Sequence, residues 1–119
     1  MKYEITNQSI ECYGRTLYRV KYGDSLGGYI EKEDNLSQNG NCRVFGNAKV
    51  FGNAKVFGNA KVSGNAEVFE DAEVFGDALV FGDALVFENA RVFGDARVSG
   101  NAEVFGDAEV FGDAEVFEN

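Results

Sequence analysis

From Val44 to Asn119 the chain repeats one six-residue unit, V-F-G-N-A-K with variants. Val fills its first position from Val44 to Val116, Ala its fifth from Ala48 to Ala114, and Asn or Asp its fourth, without exception. This period excludes a helix. Six is not a multiple of 3.6, and Gly with Asn or Asp in every unit would break helical turns. A strand joined to a turn fits the spacing. In a unit such as Ala48-Lys49-Val50-Phe51 successive side chains point to opposite faces. The sixth position is variable and mostly charged, so it faces water. Ala and Val then face inward, and Phe faces outward with the charges. Units of fixed period bury their apolar side only by stacking on their neighbours.

The Gly-Asn or Gly-Asp pair forms the turn. Gly gives way to Glu at Glu70, Glu88 and Glu118, whereas the next position never departs from Asn or Asp. Those two residues tolerate the left-handed backbone region best after Gly. The expected left-handed residues are therefore Asn47, Asn53, Asn59, Asn65, Asp71 and their successors.

Residues 1–43 differ in composition. They hold all five tyrosines and none of the eleven phenylalanines, with six basic and six acidic side chains. Lys2–Thr6 and Thr16–Tyr22 read as strands, Ile10–Tyr13 as a weaker one and Tyr29–Glu31 as a short one. Gly14, Gly23-Asp24 and Gly27-Gly28 read as turns, and Lys32–Gln38 as a loop. The segment is too short to bury a core alone and is expected to cap the repeat. Cys42 stands where later units have Ala, which predicts a small buried thiol.

The run of Val, Gly-Asn or Gly-Asp, and Ala from Val44 onward resembles the hexapeptide repeat of left-handed parallel β-helices. The lead-in, with Gly27-Gly28-Tyr29-Ile30-Glu31 and Asn35-Leu36-Ser37, is similar to that of uncharacterised bacterial and prophage hexapeptide-repeat proteins. The chain departs from the family pattern at the second position, where it carries Phe or Ser. The resemblance implies an all-β, left-handed parallel β-helix: a triangular solenoid of about four coils of 18 residues over residues 44–119, with a small N-terminal β cap over residues 1–43. Residues eighteen apart would then stack. Phe51, Phe69, Phe87 and Phe105 make one column, and Phe57, Phe75, Phe93 and Phe111 a second. Phe45, Ser63, Phe81, Ser99 and Phe117 make a third. Glu73, Arg91 and Glu109 stack with alternating charge, as do Arg97 with Glu115 and Lys49 with Glu67.

The family's acyltransferases rely on a His base, and this chain has no His, so their usual mechanism is unavailable. No phosphate loop, zinc spacing or dinucleotide motif is present. Asp77, Asp95 and Asp113 share one turn column, yet Asn and Asp interchange at that position, which favours a backbone role. No metal or other cofactor is expected, and no enzyme activity. The net charge of −9 resides on the repeat, which disfavours direct binding to nucleic acid or anionic membranes. No apolar run is long enough to span a membrane, and the first residues lack a signal-peptide core. The expected location is the cytoplasm, that of the host cell if the chain is phage-encoded.

The expected function is binding to a protein with a basic, nucleic-acid-binding surface, such as a host defence or DNA-handling protein. The candidate acidic face is Glu67, Glu70, Glu73, Glu103, Asp107 and Glu109. A homodimer through the C-terminal coil is expected, with Leu79, Leu85, Val116, Phe117 and Asn119 as candidate contacts. The alternatives are a self-assembling structural β-helix and a divergent hexapeptide acyltransferase.

Overall fold

The computed structural model describes residues 2–118 and is a parallel β-solenoid. Its repeats stack into three sheets, one on each side of a triangular coil. The first face carries Lys49–Val50, Glu67–Val68, Leu85–Val86 and Glu103–Val104. The second carries Lys55–Val56, Glu73–Val74, Arg91–Val92 and Glu109–Val110. The third carries Arg43–Val44, Lys61–Val62, Leu79–Val80, Arg97–Gly100 and Glu115–Glu118. Every strand pairs with the residue eighteen positions on, as at Leu85 with Glu103 and Val86 with Val104. The Val and Ala side chains fill the interior, and from Val44 to Val98 they are excluded from solvent apart from a trace at Val56.

The stack holds about five coils, because it starts before Val44. Ile30 pairs in parallel with Val50, and Leu36 bridges to Val56. Both are buried and take the place of Val. Their offset to the next coil is twenty residues instead of eighteen, and the two surplus residues fall between Ser37, whose N–H donates to the Val56 carbonyl, and Asn41, whose N–H already keeps the regular offset to the Gly58 carbonyl. That irregularity hides the first coil from a six-residue reading, and Lys32–Gln38 is part of the wall of the solenoid.

Three antiparallel strands extend the first face: β1 (Glu4–Cys12), β2 (Arg15–Tyr22) and β3 (Ser25–Ile30). β1 joins the two expected strands Lys2–Thr6 and Ile10–Tyr13, with a register shift between Ile5 and Ser9 absorbing the polar Asn7-Gln8 stretch. Gly27 and Gly28 lie inside β3 and make no turn. A Cβ at Gly27 would fall 2.6 Å from the Tyr22 ring, and one at Gly28 2.6 Å from the Ala48 carbonyl. Glycine is required there by close approach, not by turn geometry.

The turn geometry also corrects the sequence expectation. The left-handed residue is the third of the unit, not the fourth. Gly46, Gly52, Gly58 and their successors have φ near +65 to +70°, and Glu70 and Glu88 keep it at 60° and 61°. No Asn or Asp does. In most of the turns the Ala N–H closes on the carbonyl three residues back, as at Ala48 to Phe45 and Ala66 to Ser63. Positive φ at the first central residue makes it a type II′ turn. The Asn or Asp works between coils instead. Its N–H donates to the corner carbonyl of the next coil, as Asn65 does to Gly82 at 2.8 Å. Asn side chains also donate to the next Asp: Asn53 to Asp71, Asn59 to Asp77 and Asn65 to Asp83, at 3.1–3.2 Å.

Candidate functional site

Going round a coil, the first and second faces meet at the corner that carries Glu70. Strands fix the outward side chains on either side of it: Glu67 and Glu103 on the first face, Glu73 and Glu109 on the second. Glu70 and Asp107 occupy the corner itself. All six candidate residues of the acidic face therefore lie along one edge of the prism. They form two clusters separated by the coil of Leu85, Glu88, Asn89 and Arg91.

The edge as a whole carries Glu67, Glu70, Asp71, Glu73, Glu88, Glu103, Asp107 and Glu109 against Lys49, Lys55 and Arg91, eight acids to three bases. The other edges are nearly balanced, at six to five and five to four. The negative charge of the repeat is thus concentrated on one edge. Adding the strongly acidic positions missed by the sequence reading, Asp71 and Glu88, needs only the corner assignment that the coil provides.

The six differ in how free they are. Glu73 and Glu109 flank Arg91 at 3.7 and 3.9 Å. Asp107 accepts from the Asn89 side chain at 3.4 Å. Glu67 accepts from the Tyr13 hydroxyl at 3.3 Å, and its charge holds the Tyr13 phenol above its ordinary pKa. Lys49 stacks in register with Glu67, as expected, but its ammonium donates to the Asn47 carbonyl. Glu70 has no hydrogen bond or ion pair among the described residues. Its neighbour on the corner, Glu88, turns its carboxylate onto the Gly106 N–H at 3.0 Å.

Glu70 also borders a groove of about 340 Å³ with Tyr13, Arg15, Phe51, Gly52 and Phe69. Phe51 and Phe69 stack at 5.1 Å, and the Tyr13 ring closes on both at 5.9 and 6.3 Å. Arg15 is held by Glu31 at 2.9 Å, and Glu31 also accepts from the Gly52 N–H at 2.8 Å. Two of the three non-glycine residues with positive φ among the described residues, Tyr13 and Glu70, thus meet at this groove. The corner ladder is interrupted at the same place. Each corner N–H from Asn41 to Asn101 donates to the next coil, except that of Asn53, which would reach Glu70.

The Phe columns of the first two faces stack at 4.8–5.4 Å with nearly parallel rings. The hairpin turn buries Phe51 to 3% exposure. On the third face Ser63 and Ser99 separate Phe45, Phe81 and Phe117, and these rings have no stacking partner among the described residues. Leu79 and Leu85 flank Phe81. Val116 and Phe117 lie two coils further along, so the candidate self-association residues form two sites, not one patch. Asn119 lies outside the described residues. Asp77, Asp95 and Asp113 line a second groove with Leu79, Arg97 and Glu115. No group of carboxylates and thiols among the described residues has the geometry to hold a metal ion.

Cys42 is buried in the first coil, with the Lys2 ammonium 3.0 Å from its sulfur and 2.7 Å from its carbonyl. Burial, with Glu67 nearby, raises the pKa of the Cys12 thiol. No helix of the described residues is long and apolar enough to cross a membrane.

The family described as YdcK beta solenoid repeat matches residues 90–106, a little less than one coil. No curated protein matches the chain. The match and the stacked parallel coils agree on a hexapeptide-type β-solenoid.

Proposed function

We propose that this solenoid is a non-enzymatic binding protein whose acidic edge occupies a basic, nucleic-acid-binding surface on a partner protein. The observation that supports it most is Glu70. Glycine holds the left-handed corner at eleven positions of the coil stack from Gly40 to Gly112. A non-glycine residue there costs about 1–2 kcal/mol. Glu88 recovers part of that cost through the Gly106 N–H. Glu70 recovers none through a bond of its own, and it leaves a bare carboxylate in the middle of the most acidic edge. Strained residues without a structural return cluster where a protein meets its ligand.

The acids fall mainly on alternate coils, so the two clusters are about 9.6 Å apart along the edge, two strand spacings. Such an edge attracts a basic groove at long range and repels phosphate backbones. The partner is therefore a protein, such as one of host defence or DNA handling in a phage setting, and not the nucleic acid. A cytoplasmic location fits that role.

The test compares wild type with the triple variant Glu70→Lys, Glu103→Lys and Asp107→Lys as baits for basic DNA-binding proteins. The reading expects wild-type complexes that weaken steeply with salt, yield to competing duplex DNA, and are lost in the triple variant. Retention of the same complexes by the triple variant would overturn it.

A further inference from the structure

The third face differs from the other two in a way that folding does not require. Its aromatic column alternates large and small: Phe45, Ser63, Phe81, Ser99, Phe117. On the other faces a Phe at every level gives a continuous ladder of rings. Here Phe45 and Phe81 are 38% and 37% exposed, and Phe117 66%. Successive rings stand two strand spacings apart, about 9.6 Å. A ring inserted between them needs about 3.5–4 Å on each side, or about 7–8 Å in all. Each serine therefore floors a slot wide enough for one aromatic ring. The column is a comb, and a comb of this pitch is complementary to itself.

We propose that the third face pairs with the third face of a second copy, antiparallel, about a two-fold axis midway between the levels of Phe81 and Ser99. Phe81 then enters the slot over Ser99 of the second copy, and Phe117 enters the slot over its Ser63, each contact occurring twice. A two-fold axis lying in the interface keeps each column opposite its own counterpart. The neighbouring outward column, Arg43, Lys61, Leu79, Arg97 and Glu115, therefore meets itself reversed.

That second column selects the register. With the axis placed as above, Lys61 lies opposite Glu115 of the second copy, beside its Asp113. Leu79 lies opposite Arg97 of the second copy, which can reach Asp77. The cations of each copy thereby enter the groove lined by Asp77, Asp95, Asp113 and Glu115 of the other. Moving the axis one coil toward the N-terminus keeps Phe opposite Ser but places Arg43 opposite Arg97 of the second copy. Like charges reject that register.

In a triangular coil the third face lies opposite the edge where the first and second faces meet. The dimer covers the comb and leaves both acidic edges exposed on its two outer sides. Dimerisation needs no partner protein, so it stands or falls independently of the role proposed for the acidic edge. The contact involves four coils of one narrow face, small for a specific interface, and dissociates on dilution.

Sedimentation of the full chain over a range of concentrations tests the pairing. Wild type is expected to dimerise reversibly. Ser99→Phe fills the slot and completes a ladder like those of the other faces. It is expected to abolish the dimer without lowering the melting temperature. Lys61→Glu is expected to weaken association at least about tenfold, and adding Glu115→Lys to restore it. A wild-type chain that stays monomeric at high concentration overturns the proposal. So does a dimer that Ser99→Phe leaves intact, or one that the charge exchange does not restore.

Discussion

At the residue scale the corner position separates two demands that glycine meets at once. One is positive φ, and the other is room for the coil above. Gly82 has both, since its φ is 72° and a Cβ there would lie 2.8 Å from the Gly100 nitrogen. Gly106 has the φ of 66° but open space around it. Gly82→Ala is therefore expected to destabilise by roughly 2–4 kcal/mol, combining backbone strain with overpacking. Gly106→Ala is expected to cost only about 1 kcal/mol. Denaturant midpoints measure both, and equal losses would show that the close approach is unimportant. Glu70→Gly is expected to stabilise by roughly 0.5–1 kcal/mol, the relief of strain less the entropy of glycine. Glu88→Gly is expected to gain less, because it also removes the acceptor for the Gly106 N–H. The letters alone show Glu replacing Gly. They do not show that the backbone stays left-handed beneath it.

At the element scale the least regular part of the chain is also the most tightly tied. Asn35 is completely buried and uses its whole side chain. Its oxygen accepts from the Glu31 and Lys32 N–H groups at 3.0 and 2.9 Å. Its nitrogen donates to the Gly52 and Ala54 carbonyls at 3.1 and 2.8 Å. Asn35→Ala would leave these backbone groups unsatisfied and is expected to cost at least about 2 kcal/mol in chemical denaturation. Nothing in the repeat pattern marks this residue, because its partners lie across a coil boundary that falls outside the period.

Two phenols, Tyr3 buried and Tyr22 half-buried, bind the hairpin to the same coil. Tyr3 donates to the Leu36 carbonyl at 2.5 Å, while Tyr22 accepts from the Val44 N–H at 2.9 Å. Burial raises both pKa values, reinforced at Tyr3 by Glu33 and opposed at Tyr22 by its bond to Val44 and by Arg43. The unfolded chain ionises its tyrosines near about pH 10 while the folded chain keeps these two protonated. Their stabilisation is thus complete below that pH and is lost as pH rises above it. Melting temperatures followed from pH 8 to pH 11 should fall at the alkaline end, less steeply in Tyr22→Phe. An identical slope in that variant would remove Tyr22 from the account.

At the scale of the whole molecule the solenoid segregates its surface. One edge collects acids and the opposite face carries the comb, while the hairpin covers Phe51 on the first face. Eight carboxylates against three cations on one edge repel one another, and the ion pairs of Arg91 on that edge and of Arg97 away from it are exposed and weak. Adding salt is expected to raise the melting temperature by screening that repulsion. A melting temperature that falls with salt would mean that the attractive pairs dominate.

The period by itself determined that the chain is a stack of strand–turn units with Val and Ala inside. An apolar side that recurs every six residues has no other way to be buried. The Phe columns and the Glu73-Arg91-Glu109 alternation needed in addition the resemblance to hexapeptide-repeat solenoids, which implies three units to a coil and so pairs residues eighteen apart. Only the tertiary structure decided which corner residue is left-handed, because Gly and Asn are both competent and the choice depends on the coil above. Only it showed that Ile30, Leu36 and Asn35 build a further coil, since a twenty-residue offset leaves no mark in a six-residue pattern. And only it gathered Glu67, Glu70, Asp71 and Glu73 onto one edge, because an edge is defined by where two faces meet and not by order along the chain.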